Sequence, residues 1–104
     1  APRVRALIPM VAFNYSRELG LTNRHDKAIE IAEYGKSLCV EWGYYLFLPD
    51  LLAVLAECYF YKNEPRKSAE LYQDAYVIGN DHDRKTIQAE AKERLGLELD
   101  QLLL

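Results

Sequence analysis

Residues 15–38 read Tyr-Ser-Arg-Glu-Leu-Gly-Leu-Thr-Asn-Arg-His-Asp-Lys-Ala-Ile-Glu-Ile-Ala-Glu-Tyr-Gly-Lys-Ser-Leu, and residues 55–78 read Leu-Ala-Glu-Cys-Tyr-Phe-Tyr-Lys-Asn-Glu-Pro-Arg-Lys-Ser-Ala-Glu-Leu-Tyr-Gln-Asp-Ala-Tyr-Val-Ile. At a shift of 40 residues the two stretches agree in kind. Tyr15 falls on Leu55, Ser16 on Ala56, Leu19 on Tyr59 and Asn23 on Asn63. Lys27 falls on Lys67, Ala28 on Ser68, Glu30 on Glu70, Ile31 on Leu71, Gly35 on Ala75 and Leu38 on Ile78. Small residues meet small, apolar meet apolar, and the turn asparagine meets itself. A repeated helix–turn–helix unit with small residues at fixed sites implies close helix approach and stacked hairpins.

Working outward, the apolar period is helical along the whole chain. Leu7, Val11, Tyr15 and Leu19, with Ile8 and Ala12 beside them, form the stripe of a first helix. Thr22-Asn23 ends it, since asparagine tolerates the left-handed conformation. A second helix uses Ala28, Ile31, Ala32, Gly35, Leu38 and Trp42, and Gly43 stops it. A third uses Leu48, Leu51, Leu52, Leu55, Ala56 and Tyr59. Pro65 fits the first turn of a fourth helix, which carries Ser68, Leu71, Tyr72, Ala75 and Ile78. Asp83 is a suitable cap for a fifth helix with Ile87, Ala91 and Leu95, and Lys92 and Arg94 suit its C-terminal dipole. The tail from Gly96 is ambiguous. Residues 43–49, aromatic-rich and bounded by glycine and proline, are the best strand candidate, but Leu48 onward is already in phase with the third helix.

The expected fold is therefore all-α: antiparallel helical hairpins stacked as a short solenoid of about five helices. The 104 residues suit one domain, 1–104. Repeat 1 is expected over about 5–43, repeat 2 over about 46–80 and a capping helix over about 83–96. A chain that begins at Ala1 is expected to be a piece of a longer protein. With 13 basic against 16 acidic residues the net charge is −3, which disfavours direct nucleic-acid contact, because phosphate neutralisation needs a basic face. The longest apolar runs fall far short of the roughly 20 residues that span a membrane. The start of the chain lacks a small-residue cleavage site and runs straight into helical pattern, so the expected location is the cytoplasm.

The repeat positions resemble the tetratricopeptide motif. Leu55-Ala56 and Tyr59 match its first helix, and Ser68, Tyr72 and Ala75 match its second. Tyr15-Ser16 and Leu19, with Ala28, Ala32 and Gly35, keep the small sites and lose the aromatics. The period of 40 exceeds the 34 usual for that family. It points to a narrower likeness, carried by residues 19–39, 45–53 and 64–77. These stretches resemble the C-terminal repeat region of bacterial helix-turn-helix transcription regulators, of which the peptide-pheromone sensors of Gram-positive bacteria are the best-known members. The resemblance implies a regulatory ligand-binding and dimerisation domain, with DNA bound by an N-terminal domain outside this chain. A generic tetratricopeptide adaptor that holds a protein partner is the alternative.

In stacked hairpins the first helix of each pair lines the concave surface. The resemblance gives that role to Met10, Phe13, Asn14 and Arg17 on the first helix, and to Asp50, Ala53, Glu57, Phe60 and Tyr61 on the third. Arg17 suits a peptide carboxylate, Glu57 a basic group, and Asn14 a peptide backbone. The aromatics suit apolar anchoring, and packing against neighbouring helices is the competing role. The expected partner is a short peptide or protein segment, with self-association alongside it. Leu97, Leu99, Leu102, Leu103 and Leu104 are too apolar for a free tail and are expected to dock on a partner subunit or a neighbouring helix.

Other chemistry is thin. His25-Asp26 and Asp81-His82-Asp83 read as capped or solvated turns, because adjacent residues splay apart and do not converge on one ion. Cys39 and Cys58 read as buried free thiols. Trp42-Gly43-Tyr44-Tyr45 packs at a hairpin junction or touches a ligand. Glu30, Glu33, Lys36, Glu41, Glu70 and Asp74 are expected on a solvated face, with Lys67 and Glu70 paired at i, i+3. No phosphate loop, zinc spacing or catalytic triad order is present, so neither enzymatic activity nor a cofactor is expected.

Overall fold

The structure, a computed structural model, describes residues 2–103. Every regular element among them is a helix: α1 (Pro2–Leu21), α2 (His25–Trp42), α3 (Leu48–Tyr61), α4 (Pro65–Ile78), α5 (Asp81–Leu95) and the short α6 (Leu99–Leu102). The 40-residue relation reappears in the backbone. Asn23 and Asn63 stand in the left-handed region, with φ of 62° and 63°. After each, the chain re-enters a helix by the same bonds: Arg24 N donates to Leu19 O at 2.9 Å, and Glu64 N to Tyr59 O at 2.9 Å.

Local chemistry sets the other boundaries. Gly43 closes α2 with φ of 68°, a conformation that costs other residues more. The strand candidate at 43–49 is this cap, a turn and the start of α3 at Leu48. Pro49 and Pro65 lie in first turns, where a missing N–H costs no helical bond. Asn80, not Asp83, caps α5. Its Oδ1 accepts from Asp83 N at 2.8 Å, and Asp83 Oδ2 accepts from Asn80 N at 3.1 Å. This reciprocal box satisfies two amides at once, which a cap at Asp83 alone would not.

Consecutive helices from α1 to α5 pack on one another, and α1 touches α3, α3 touches α5, and α4 touches α6. Leu51, Leu55 and Tyr72 are fully buried between them. Small residues allow the close approach: a Cβ on Gly35 would lie 2.8 Å from Ala12 Cβ. Ser68 Oγ donates to Ala56 O at 2.6 Å and ties α4 to α3. The two turns are also joined. His25 stacks on Tyr61 at 5.3 Å, and Lys62 pairs with Asp26, whose carboxyl is held below its usual range by that hydrogen bond.

Four expectations change. The large apolar residues of α1 do not face the core: Leu7, Val11 and Tyr15 are exposed, and the helix buries Pro9, Ala12, Ser16, Leu19 and Gly20 instead. The buried edge of α1 is the small one, because only small residues let α2 come close. Ile78, at the end of α4, is exposed. Lys67 does not pair with Glu70; its Nζ sits 4.4 Å over the Tyr59 ring, while the repeat counterparts Lys27 and Glu30 pair at 3.3 Å. The C-terminal leucines divide. Leu102 is fully buried where α6 meets α4, and Gln73 Nε2 donates to Gln101 O at 2.7 Å. Leu97 is half-buried, Leu99 and Leu103 are exposed, and Leu104 lies outside the described residues. Of the residues expected on a solvated face, Glu30, Glu41, Glu70 and Asp74 are exposed, and Lys36 and Glu33 are half-buried and 3.9 Å apart. No helix among the described residues is long and apolar enough to cross a membrane.

Candidate functional site

A pocket of about 540 Å³ is lined by α1, α3 and α5 and by no residue of α2, α4 or α6. From α1 come Phe13, Arg17, Gly20 and Leu21. From α3 come Pro49, Asp50, Ala53, Val54, Glu57 and Cys58. From α5 come His82, Asp83, Thr86, Ile87, Glu90 and Arg94. The i, i+3/i+4 spacing within each set puts one face of each helix on the pocket.

Of the nine residues expected from sequence, five are brought together here: Phe13, Arg17, Asp50, Ala53 and Glu57. Met10, Asn14, Phe60 and Tyr61 are not. Met10 is half-buried and Asn14 exposed away from the lining. Tyr61 is engaged by His25, and Phe60 meets Tyr61 edge-on at 5.1 Å. Phe13 stacks on Phe47 at 6.3 Å, and the Arg17 guanidinium lies 5.2 Å over the Phe13 ring. Of the aromatic cluster at the hairpin junction, Trp42 is half-buried with the Arg5 guanidinium 5.3 Å from its ring, and Tyr45 is exposed.

The whole α5 contribution was missed in the sequence. One signal there does find it: 33 residues beyond Asp50, Val54 and Glu57 stand Asp83, Ile87 and Glu90, the same types in the same spacing.

The charges are unbalanced. Asp50, Glu57, Asp83 and Glu90 set four carboxylates against the guanidiniums of Arg17 and Arg94. Arg94 is spent internally. Its Nη2 donates to Glu57 Oε2 at 2.7 Å, its Nη1 lies 3.9 Å from Glu90, and the same nitrogen reaches Tyr72 Oη at 3.4 Å. Glu57, expected to meet a ligand's basic group, is thus already paired. Asp83 is held by the α5 capping box. Asp50 forms no ion pair among the described residues, and its carboxylate accepts a hydrogen bond from its own backbone amide. Burial, and then the nearby Asp83 charge, push its carboxyl above the usual range. Burial likewise raises Glu90, against the pull of Arg94.

The lining is suited to holding a group by charge and apolar contact. Its thiol, Cys58, is buried and pushed up to about 11 by desolvation, so it is a poor nucleophile. Among the described residues, no three His, Cys, Asp or Glu converge as a metal site. The chain matches no protein-family model, no curated protein and no solved structure.

Proposed function

We propose that this chain is a short tetratricopeptide-like solenoid that binds a peptide or protein segment in the pocket between α1, α3 and α5. The observation that carries the reading is the pocket itself, lined by alternate helices only. That is the arrangement expected of the concave face of stacked hairpins. The acidic surplus, with Asp50 unpaired, favours a ligand with a basic side chain, and Arg17 is free of ion pairs among the described residues to take a carboxylate. Phe13, Ala53 and Val54 offer the apolar wall against which an anchor residue would pack.

In the wider reading, carried by the family resemblance, the pocket is the effector site of a cytoplasmic transcription regulator. The chain is then its regulatory and dimerisation domain, without enzymatic activity, and a separate domain contacts DNA. The exposed Leu99 and Leu103 are the dimerisation candidates.

Selection of a random displayed heptapeptide library on the whole chain tests the pocket. We expect enriched peptides carrying Lys or Arg, whose affinity falls at least tenfold in an Ala53→Trp variant that fills the pocket. Binding that ignores Ala53→Trp, or no enrichment at all, overturns the site. Peptides without a basic residue overturn only the charge preference. Attached to a DNA-binding domain, a regulator's effector shifts operator affinity, whereas an adaptor binds the same peptide with no such shift.

A further inference from the structure

Four apolar side chains stand in water along one face of α1: Val4, Leu7, Val11 and Tyr15, at 58%, 52%, 58% and 47% exposure. Their spacing of three and four residues makes them one stripe. An exposed stripe of this kind marks an interaction surface more often than a scatter of single residues does.

The 40-residue relation says what such a stripe meets. The counterparts of Val11 and Tyr15 are Leu51 and Leu55, and both have 0% exposure. Leu51 is covered by α2: its Cδ2 would lie 3.1 Å from a Cβ placed on Gly35. The second hairpin's first helix is thus closed by the small-residue face of the helix before it. In α1 the same positions are open.

We propose that the outer face of α1 is a docking surface for another helical hairpin, whose second helix sits on Val11 as α2 sits on Leu51. The chemistry of that partner follows from the contact already present. It is an amphipathic helix with Gly facing the stripe, because at Gly35 even a Cβ would lie 3.1 Å from Leu51 Cδ2. A second copy of this chain paired α1 to α1 would set large side chains on large ones and lacks that complement. The inference rests on the repeat relation and is independent of what the pocket binds.

The test is a Val11→Cys variant, read by alkylation, since both native thiols are buried. In the native chain the new thiol reacts at the rate of a free one. Two extended versions are compared with it. One carries a tandem copy of residues 4–43 ahead of Val4, and the other a copy of residues 25–42 on a flexible N-terminal linker. We expect the new thiol to slow at least tenfold in both, with Cys39 and Cys58 still protected. If the tandem version misfolds, its native thiols react too, and the tethered helix alone decides the outcome. Unslowed reaction in the tethered version, with native thiols protected, overturns the proposal. So does sedimentation showing a dimer of the unextended chain that Val11→Glu converts to monomer, because a second copy would then be the occupant.

Discussion

The two hairpins share a plan and differ in what surrounds them. In α1–α2 and α3–α4 the turns, the left-handed asparagines and the small contact positions correspond at 40 residues. Yet α3 buries eight of its 14 residues and its counterpart α1 only five of the 18 from Val4 to Leu21. The middle hairpin packs against both α2 and α5, whereas α1 packs against α2 and α3 and leaves Val4, Leu7, Val11 and Tyr15 exposed. The same pattern of residues is therefore core in one copy and surface in the other. Burial at corresponding positions is set by the neighbouring helices and not by the residue pattern alone.

The largest expected contrast is between Leu55 and its counterpart. Leu55→Ala empties a fully buried site and is expected to cost about 2–5 kcal/mol. Tyr15→Ala removes a half-exposed ring and is expected to stay within about 0.5 kcal/mol. Denaturant titration of both variants measures the pair, and equal losses would break the comparison.

Next comes the small-residue contact. Gly35→Ala places a methyl 2.8 Å from Ala12 Cβ and 3.1 Å from Leu51 Cδ2. We expect a loss of about 1–3 kcal/mol from overpacking, in spite of alanine's better helix propensity. A gain in melting temperature would show that the first hairpin has slack that the packing does not suggest.

The serines give a smaller contrast. Ser68→Ala removes the 2.6 Å bond across to α3 and is expected to cost about 1 kcal/mol. Ser16 Oγ bonds only Phe13 O at 3.1 Å within its own helix, so Ser16→Ala is expected to be near neutral by the same titration.

The smallest effect concerns pH. The raised Asp50 carboxyl means that the folded chain holds this proton more tightly than the unfolded chain does. Ionisation there costs stability at neutral pH, and the cost disappears as pH falls through the raised folded value to the ordinary carboxylate value. Asp50→Asn is therefore expected to melt higher than the parent at pH 7, by a margin that fades below about pH 4. A margin that persists in acid would mean the gain has another cause.

Much of the fold was legible in residues 15–38 and 55–78. Helices two to four follow their apolar stripes, and both turns follow from asparagine. What failed in α1 failed for one reason. Apolar periodicity locates an apolar face, and the face actually buried there is defined by Pro9, Ala12, Ser16 and Gly20, which are small or conformationally special rather than strongly apolar. The pocket was half legible. Its α1 and α3 walls follow from hairpin geometry, but the α5 wall depends on where α5 packs against α4 and α3. A rule built on a 40-residue shift misses residues offset by 33. The Glu57–Arg94 pair joins residues 37 apart, and no local pattern announces it.

The two buried thiols give the hairpins separate reporters. Cys39 lies in α2 and Cys58 in α3, and burial raises both above the usual thiol range, Cys58 to about 11. A thiol so placed reacts only during moments when its helix has opened to solvent. Its alkylation rate at fixed pH is then a clock for local opening, and one reaction mixture times each hairpin on its own.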